Sequence, residues 1–102
     1  MENIFRHGDL LIKRIGELPA NLTKLKTTVL AEGETTGHKH KLVGQQVQVF
    51  KDSNQQMYVE LKEPAQLVHE EHKTIDLDAG NYVIIHEREF EPFEQEIRRV
   101  AD

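Results

Sequence analysis

The 102-residue sequence contains no cysteine and no tryptophan. Without thiols, neither a disulfide nor a thiolate metal site can form, so a metal would need histidine, carboxylate, backbone or water ligands. The only serine, Ser53, falls in a predicted turn with no histidine beside it in sequence. No glycine-rich phosphate loop precedes a helix, and the acidic residues are scattered. Serine or cysteine nucleophiles, phosphate-loop chemistry and a carboxylate-pair hydrolase are therefore not indicated.

Long apolar runs and excess positive charge are also missing. No apolar run is long enough for a membrane span, and residues 1–7 lack the apolar centre of a signal peptide. We therefore expect a cytoplasmic protein with no membrane partner. The net charge of −5 argues against nucleic acid as a partner, because phosphate binding requires a basic face. A hydrophobic content of 37% and a charged content of 30% suit one small globular domain.

Short β-prone segments between turn signals fill most of the chain. Residues 45–51 and 56–62 alternate polar and apolar side chains around turn residues 52–54, which predicts a hairpin. The longest strand candidate is 82–90, and Leu10 and Ile12 share one face of an earlier strand. Roughly seven such segments predict an all-β fold, a small barrel or sandwich.

Two segments have helical spacing instead. Leucines spaced by four and three around Pro19 predict a short helical turn near residues 18–25. After Pro92, apolar residues again recur at helical spacing, which predicts a C-terminal helix carrying Phe93, Ile97 and Val100. We therefore expect a single β domain over 1–102, in which 91–102 forms a tail that packs back or contacts a neighbouring subunit.

Four of the six histidines lie in two short motifs. His38 and His40 are two residues apart, so in a strand both rings point to the same face. His69 and His72 are three apart, so a helical turn at a strand end would bring their rings together. Neutral imidazole is a common ligand for transition metals, and the two pairs together predict a metal site.

The acidic neighbours and the number of ligands decide what such a site could do. Glu70 and Glu71 add negative charge, and either could orient an imidazole. Glu34, Glu70 and Glu71 are the candidates for a general base. Four histidines would close a structural site, whereas three leave a position for water or substrate. Zinc is the metal we expect most, with iron, nickel or copper as alternatives. The competing interpretation is a pair of exposed histidines and a solvated acidic turn.

The two remaining histidines carry weaker expectations. His86 shares a strand face with Tyr82 and Ile84, which favours a core or rim histidine held by a hydrogen bond. His7 precedes the first predicted strand and is interpreted as a surface residue.

At His38-Lys39-His40 the chain resembles the first metal motif of the cupins, small double-stranded β-helix barrels whose His-x-His binds a metal. That motif has a glycine six residues before the first histidine, where this chain has Gly33 five before it. Its glutamate ligand position falls here on Gly44 or Gln45. The resemblance implies a cupin-like barrel with a metal at the two histidines.

The chain is also similar, over nearly its whole length, to a group of short uncharacterised proteins of bacterial and phage genomes. The similarity covers residues 6–12, 30–40, 68–72, 88–90 and 98–102. It implies no function. Two functions therefore stay open: a small metal-binding β protein of unassigned activity, or a self-assembling structural or interaction protein without catalysis, such as an oligomer, a filament or a phage-associated component. In either case a homo-oligomer is expected, and enzymatic activity is left undecided.

Overall fold

The computed structural model describes residues 3–33 and 37–87, and these residues form ten β-strands. The strands are β1 Ile4–His7, β2 Leu10–Ile15, β3 Thr23–Leu25, β4 Val29–Glu32, β5 Lys39–Val43, β6 Val47–Lys51, β7 Met57–Leu61, β8 Ala65–Val68, β9 Ile75–Leu77 and β10 Gly80–His86. The all-β prediction is confirmed. The strands are shorter and more numerous than the roughly seven expected.

The strands form two antiparallel sheets. The larger sheet has the order β1-β2-β10-β7-β6-β3, and the smaller has the order β4-β5-β8-β9. In the described residues neither sheet closes on itself, so the arrangement is sandwich-like and the closed-barrel alternative is wrong. A barrel needs its first and last strands to pair, and here each sheet ends in two edge strands.

Alternating side chains place one core between the two sheets. Leu10, Ile12, Tyr82 and Ile84 of the larger sheet are at most 1% exposed. They belong to one cluster with residues of the smaller sheet, which include Leu30, Leu42, Leu67 and Leu77. Residues two apart in a strand share a face, and this places Leu10 with Ile12 and Tyr82 with Ile84 as the sequence predicted.

The β6–β7 hairpin is confirmed, with Val49 opposite Val59. Its turn is held by Asp52, whose Oδ1 accepts hydrogen bonds from the backbone N–H of Asn54 at 2.8 Å and of Gln56 at 2.9 Å. A short carboxylate that caps nearby amides is the usual reason for aspartate at such a position.

The helical turn predicted near 18–25 is wrong. Thr23–Leu25 forms β3 and pairs with β6, with Leu25 opposite Val49. Asn21 has φ +63°, a left-handed conformation that interrupts a helix. The leucine spacing was misleading because backbone pairing with β6 satisfies the segment's amides better than one helical turn would. The predicted helix within 91–102 lies outside the described residues.

A polar cluster lies where β2 ends and β10 begins. Nη2 of Arg14 donates to the Tyr82 hydroxyl at 2.8 Å, and this hydroxyl donates to the Asp78 carbonyl at 2.7 Å. Nη1 of Arg14 donates to the Ala79 carbonyl at 3.1 Å, and the guanidinium lies 5.1 Å from the centre of the Tyr82 ring. Gly80, with φ +153°, leaves room for this guanidinium.

A search of residues 3–33 and 37–87 for helices that could span a membrane found none.

Candidate metal centre

The opposite end of the β2–β10 pair carries the histidines, where three separate segments meet. The first is the two-residue turn Gly8-Asp9, which joins β1 to β2 directly after the His7–Leu10 pair. The second is the start of β5, and the third is the connection from β8 to β9. Antiparallel pairing of β5 with β8, with Lys41 opposite Val68, brings the second and third segments together.

The His-x-His motif lies at the beginning of β5. His40 lies within the strand and is 5% exposed, whereas His38 directly precedes the strand and is half-buried. His40 alternates with the exposed Lys39 and Lys41, so its ring faces the interior on the same side as the buried Leu42.

The His-Glu-Glu-His motif forms a bend between β8 and β9. Nδ1 of His69 accepts hydrogen bonds from the backbone N–H of Glu71 at 3.0 Å and of His72 at 3.3 Å, and the two rings lie 4.4 Å apart. Glu70 Oε1 accepts the backbone N–H of Lys39 at 3.0 Å, and this bond lowers the pKa of the Glu70 carboxyl. The bend is thereby tied to the start of β5.

The structure brings both histidine pairs into one cluster. The His40 ring centre is 4.3 Å from that of His69 and 5.6 Å from that of His72. One nitrogen from each of these three rings lies within 4.8 Å of the other two. His38 is outside this group: its ring is 5.6 Å from that of His69, and its Nδ1 is 3.4 Å from Oε1 of Glu71.

His7 is the residue that the sequence interpretation missed. It is only 2% exposed, so its assignment to the surface is wrong. Its Nε2 lies 3.0 Å from the Lys73 carbonyl, and its Nδ1 lies 2.8 Å from Nδ1 of His40. The signal was present in sequence, because Gly-Asp between two β-prone runs is a hairpin turn that places His7 opposite the buried Leu10.

Hydrogen bonding assigns the protons on these two buried rings. A carbonyl oxygen can only accept, so Nε2 of His7 donates to Lys73. In the neutral ring Nδ1 of His7 is then an acceptor, and His40 donates to it from Nδ1. Nε2 of His40 therefore carries a free lone pair. A histidine whose second nitrogen is held in this way is the usual form of a metal ligand.

Both rings are neutral at physiological pH. Burial, followed by the neighbouring His69 and His7 rings, lowers the pKa of His40 to about 4. Burial also lowers the pKa of His7, although its bond to the Lys73 carbonyl opposes the change. Metal ligation requires the neutral imidazole, so the protein keeps His40 in the form that binds a cation.

The Gly8-Asp9 turn forms the wall of the cluster. Gly8 has φ +63°, and a Cβ at this position would lie 2.7 Å from Nε2 of His72 and 2.9 Å from Cε1 of His40. Only glycine allows both the backbone conformation and this close approach. The next residue, Asp9, places Oδ1 3.7 Å from Nε2 of His40.

His69 differs from His40 in how its nitrogens are used. Because Nδ1 accepts two backbone N–H groups, Nε2 carries the hydrogen in the neutral ring. A metal would have to replace the two amides at Nδ1, or bind Nε2 after its proton has left. The nitrogens must also move closer, because a tetrahedral ion with bonds of about 2.0–2.1 Å holds its ligands about 3.3–3.4 Å apart. Binding therefore requires the bend to adjust around the fixed His40 ring.

The other candidates lie apart from the ligand group. Nε2 of His86 donates to the Leu30 carbonyl at 2.8 Å, a hydrogen bond that links β10 to β4. This matches the expected core or rim histidine. Glu34 lies outside the described residues.

One family model matches the chain. It is described as "Domain of unknown function (DUF8820)" and covers residues 6–87, which include all ten strands except the first two residues of β1. The comparison with curated proteins and the comparison with solved structures gave no match.

Proposed function

The chain belongs to the DUF8820 family, whose description states no function, and we propose from the geometry of its histidine cluster that it binds a divalent transition metal. His40, His69 and His72 are the imidazole ligands in this proposal. Zinc is the expected ion, since it commonly binds three protein nitrogens and a fourth ligand, such as water, in a tetrahedral site. Iron, nickel and copper are the alternatives.

One observation carries the proposal. Three imidazole nitrogens from two distant segments lie within 4.8 Å of one another, and the most buried of the three rings is held by a second buried histidine. His7 and His40 are buried beside the rings of His69 and His72. Removing their polar ring nitrogens from water costs free energy. A metal offsets this cost by accepting the lone pairs.

Only the metal-binding part of the cupin resemblance supports this proposal. The His-x-His motif contributes His40, while His38 lies toward the rim near Glu71. The two open sheets do not support a cupin barrel. We therefore propose metal binding without assigning an activity.

The metal content of untagged protein, purified without added metal, tests the proposal. Mass spectrometry should find about one ion per chain in the wild type. His72→Ala should lose the ion, and because this ring is exposed the variant should still fold. His86→Gln is the matched control, since this histidine bonds a carbonyl instead of the cluster. Substoichiometric metal in wild-type protein, before and after incubation with zinc, would contradict metal binding.

Self-assembly is the second candidate function. Both sheets are open, so β1, β3, β4 and β9 are edge strands among the described residues, and Ile4 on β1 is 56% exposed. Edge strands offer unpaired backbone groups to another chain. Light scattering should report a particle larger than one chain, and a chain ending at Glu91 tests whether the tail makes the contact. A monomer at high concentration would rule this function out.

A further inference from the structure

We propose that His7 is the positioning residue of the metal centre, and that its ring holds the two segments that carry the ligands at the spacing an ion requires. This inference rests on the proposed metal binding and specifies it further. His7 is not a ligand in this proposal, because it acts through His40 and through the backbone that follows His72. It lies on β1 of the larger sheet, whereas the ligands lie on or between strands of the smaller sheet.

Each ring nitrogen of His7 contacts a different ligand segment. Nδ1 lies 2.8 Å from Nδ1 of His40 in β5. Nε2 donates to the carbonyl of Lys73 at 3.0 Å, and Lys73 directly follows the ligand His72 in the chain. Because the imidazole ring is planar and has no internal rotation, one rigid group fixes the strand relative to the end of the bend.

His7 also lies close to all three ligand rings. Its ring centre is 4.9 Å from that of His40, 5.6 Å from that of His72 and 6.2 Å from that of His69. Packing and two hydrogen bonds hold this buried side chain in one orientation. A group held in this way can keep ligands near their binding geometry before the ion arrives.

His7 further selects the nitrogen that His40 offers to the ion. The Lys73 carbonyl requires the hydrogen of the neutral His7 ring to be on Nε2, so Nδ1 of His7 accepts from Nδ1 of His40. The ligand nitrogen of His40 is then Nε2. Without His7 the His40 ring can place its hydrogen on either nitrogen, and part of the population would present the wrong one.

The competing interpretation makes His7 a fourth ligand. Both of its nitrogens already have hydrogen-bond partners, and the group of converging nitrogens among the described residues consists of His40, His69 and His72. For His7 to bind the ion, either Nδ1 of His40 or the Lys73 carbonyl would lose a partner, which is unfavourable for a polar group away from water. The geometry therefore favours a positioning role.

Competition with a chromophoric zinc chelator tests this role on the full chain. His7→Phe keeps a ring but removes both hydrogen bonds, and it should weaken zinc binding about 10- to 100-fold. His7→Gln should recover part of this loss, because its amide can both donate and accept. His86→Gln is the matched control and should leave the affinity unchanged, because His86 also donates from the larger sheet to a carbonyl of the smaller sheet, at Leu30 of β4. Equal affinities in His7→Phe and the wild type would overturn the role of His7 and leave metal binding intact.

Nuclear magnetic resonance of nitrogen-15-labelled protein measures the proton positions without a metal and without relying on a variant that folds. Metal-free wild-type protein should carry the hydrogen of His40 on Nδ1 and that of His7 on Nε2. In His7→Phe the His40 ring should populate both forms. A hydrogen on Nε2 of His40 in the wild type would overturn the assignment.

Cadmium-113 in place of zinc identifies the nitrogens that bind. Coupling to the metal should split the signal of Nε2 of His40 and leave both nitrogens of His7 unsplit. Splitting at His7 would make this residue a ligand and overturn its positioning role. Absence of zinc and cadmium binding in wild-type protein would instead remove the proposed function, and this inference with it.

Discussion

The two ends of the β2–β10 pair each bury a polar cluster, and the two clusters differ in the groups that they bring together. At the Arg14 end, donors meet acceptors: guanidinium to hydroxyl, hydroxyl to carbonyl, guanidinium to carbonyl. Nε of Arg14 is the one buried side-chain nitrogen or oxygen without a partner among the described residues, and it also lies at this end. At the histidine end, by contrast, one nitrogen from each of three rings lies within 4.8 Å of the other two. Hydrogen bonds between donors and acceptors stabilise the fold directly, whereas converging imidazole nitrogens offer lone pairs to a cation.

The pH dependence of stability should separate the two ends most clearly in metal-free protein. The lowered pKa of His40 means that the unfolded chain takes up a proton more readily, so stability is complete above pH 6.5 and falls as the pH drops toward 4. The expected loss is up to about 3 kcal/mol. Burial raises the pKa of Tyr82, so the other end loses stability as the pH rises above 10.

Urea unfolding across this pH range measures both limbs. His40→Gln, which does not titrate, should reduce the acid limb and leave the alkaline limb unchanged. Equal acid limbs in the variant and the wild type would show that His40 is not the group responsible.

Zinc should raise the free energy of unfolding only when the histidine end is intact. At a free concentration of 100 times Kd, a ligand that binds only the folded state adds about 2.7 kcal/mol to the free energy of unfolding. We expect this gain in the wild type and in Tyr82→Phe, and its absence in His72→Ala. Thermal unfolding with and without zinc measures it, and a gain that persists in His72→Ala would place the metal elsewhere.

Tyr82→Phe should lower the free energy of unfolding by removing hydrogen bonds at the Arg14 end. It leaves Nη2 of Arg14 without its acceptor and the Asp78 carbonyl without its donor, at a cost of about 1–3 kcal/mol. Zinc affinity should stay the same, because the change lies at the far end of β10. Tyr58→Phe, on the half-buried face of β7, is the control in urea unfolding and should cost less.

Gly8 and Gly80, two of the three described glycines with positive φ, should give the smallest effect on stability and a clear difference in zinc binding. Gly8→Ala and Gly80→Ala should each cost about 1–2 kcal/mol through backbone strain. Only Gly8→Ala should also weaken zinc binding, by about tenfold, because its methyl group meets the rings of His40 and His72. At Gly80 the methyl group meets the guanidinium of Arg14, at the end of β10 far from the histidines. Equal zinc affinities in the two variants would contradict this difference.

Strand periodicity allowed the sequence to predict much of the fold. The β6–β7 hairpin and the shared face of Tyr82 and Ile84 both follow from a repeat of two. The segment around Leu22 was mispredicted because its spacing fits a helix, and its pairing with β6 depends on residues far away in the chain.

The candidate site was predictable only in outline. Spacing identified two histidine pairs, His38 with His40 and His69 with His72, but the contact between β5 and the β8–β9 bend depends on strand order, which spacing does not specify. His7 was missed because it was placed before the first strand, whereas it lies in β1 opposite the buried Leu10. Proton positions, which distinguish His40 from His69, depend on backbone carbonyls and amides that no sequence pattern contains.

The proposed ligands lie in two segments far apart in the chain, at His40 and at the bend beginning with His69. An ion bound by both segments would close a loop of about thirty residues, as a covalent bridge does. A chain without a single cysteine would thereby gain a removable cross-link. Chelation would then act on this protein as reduction acts on a disulfide-bonded one.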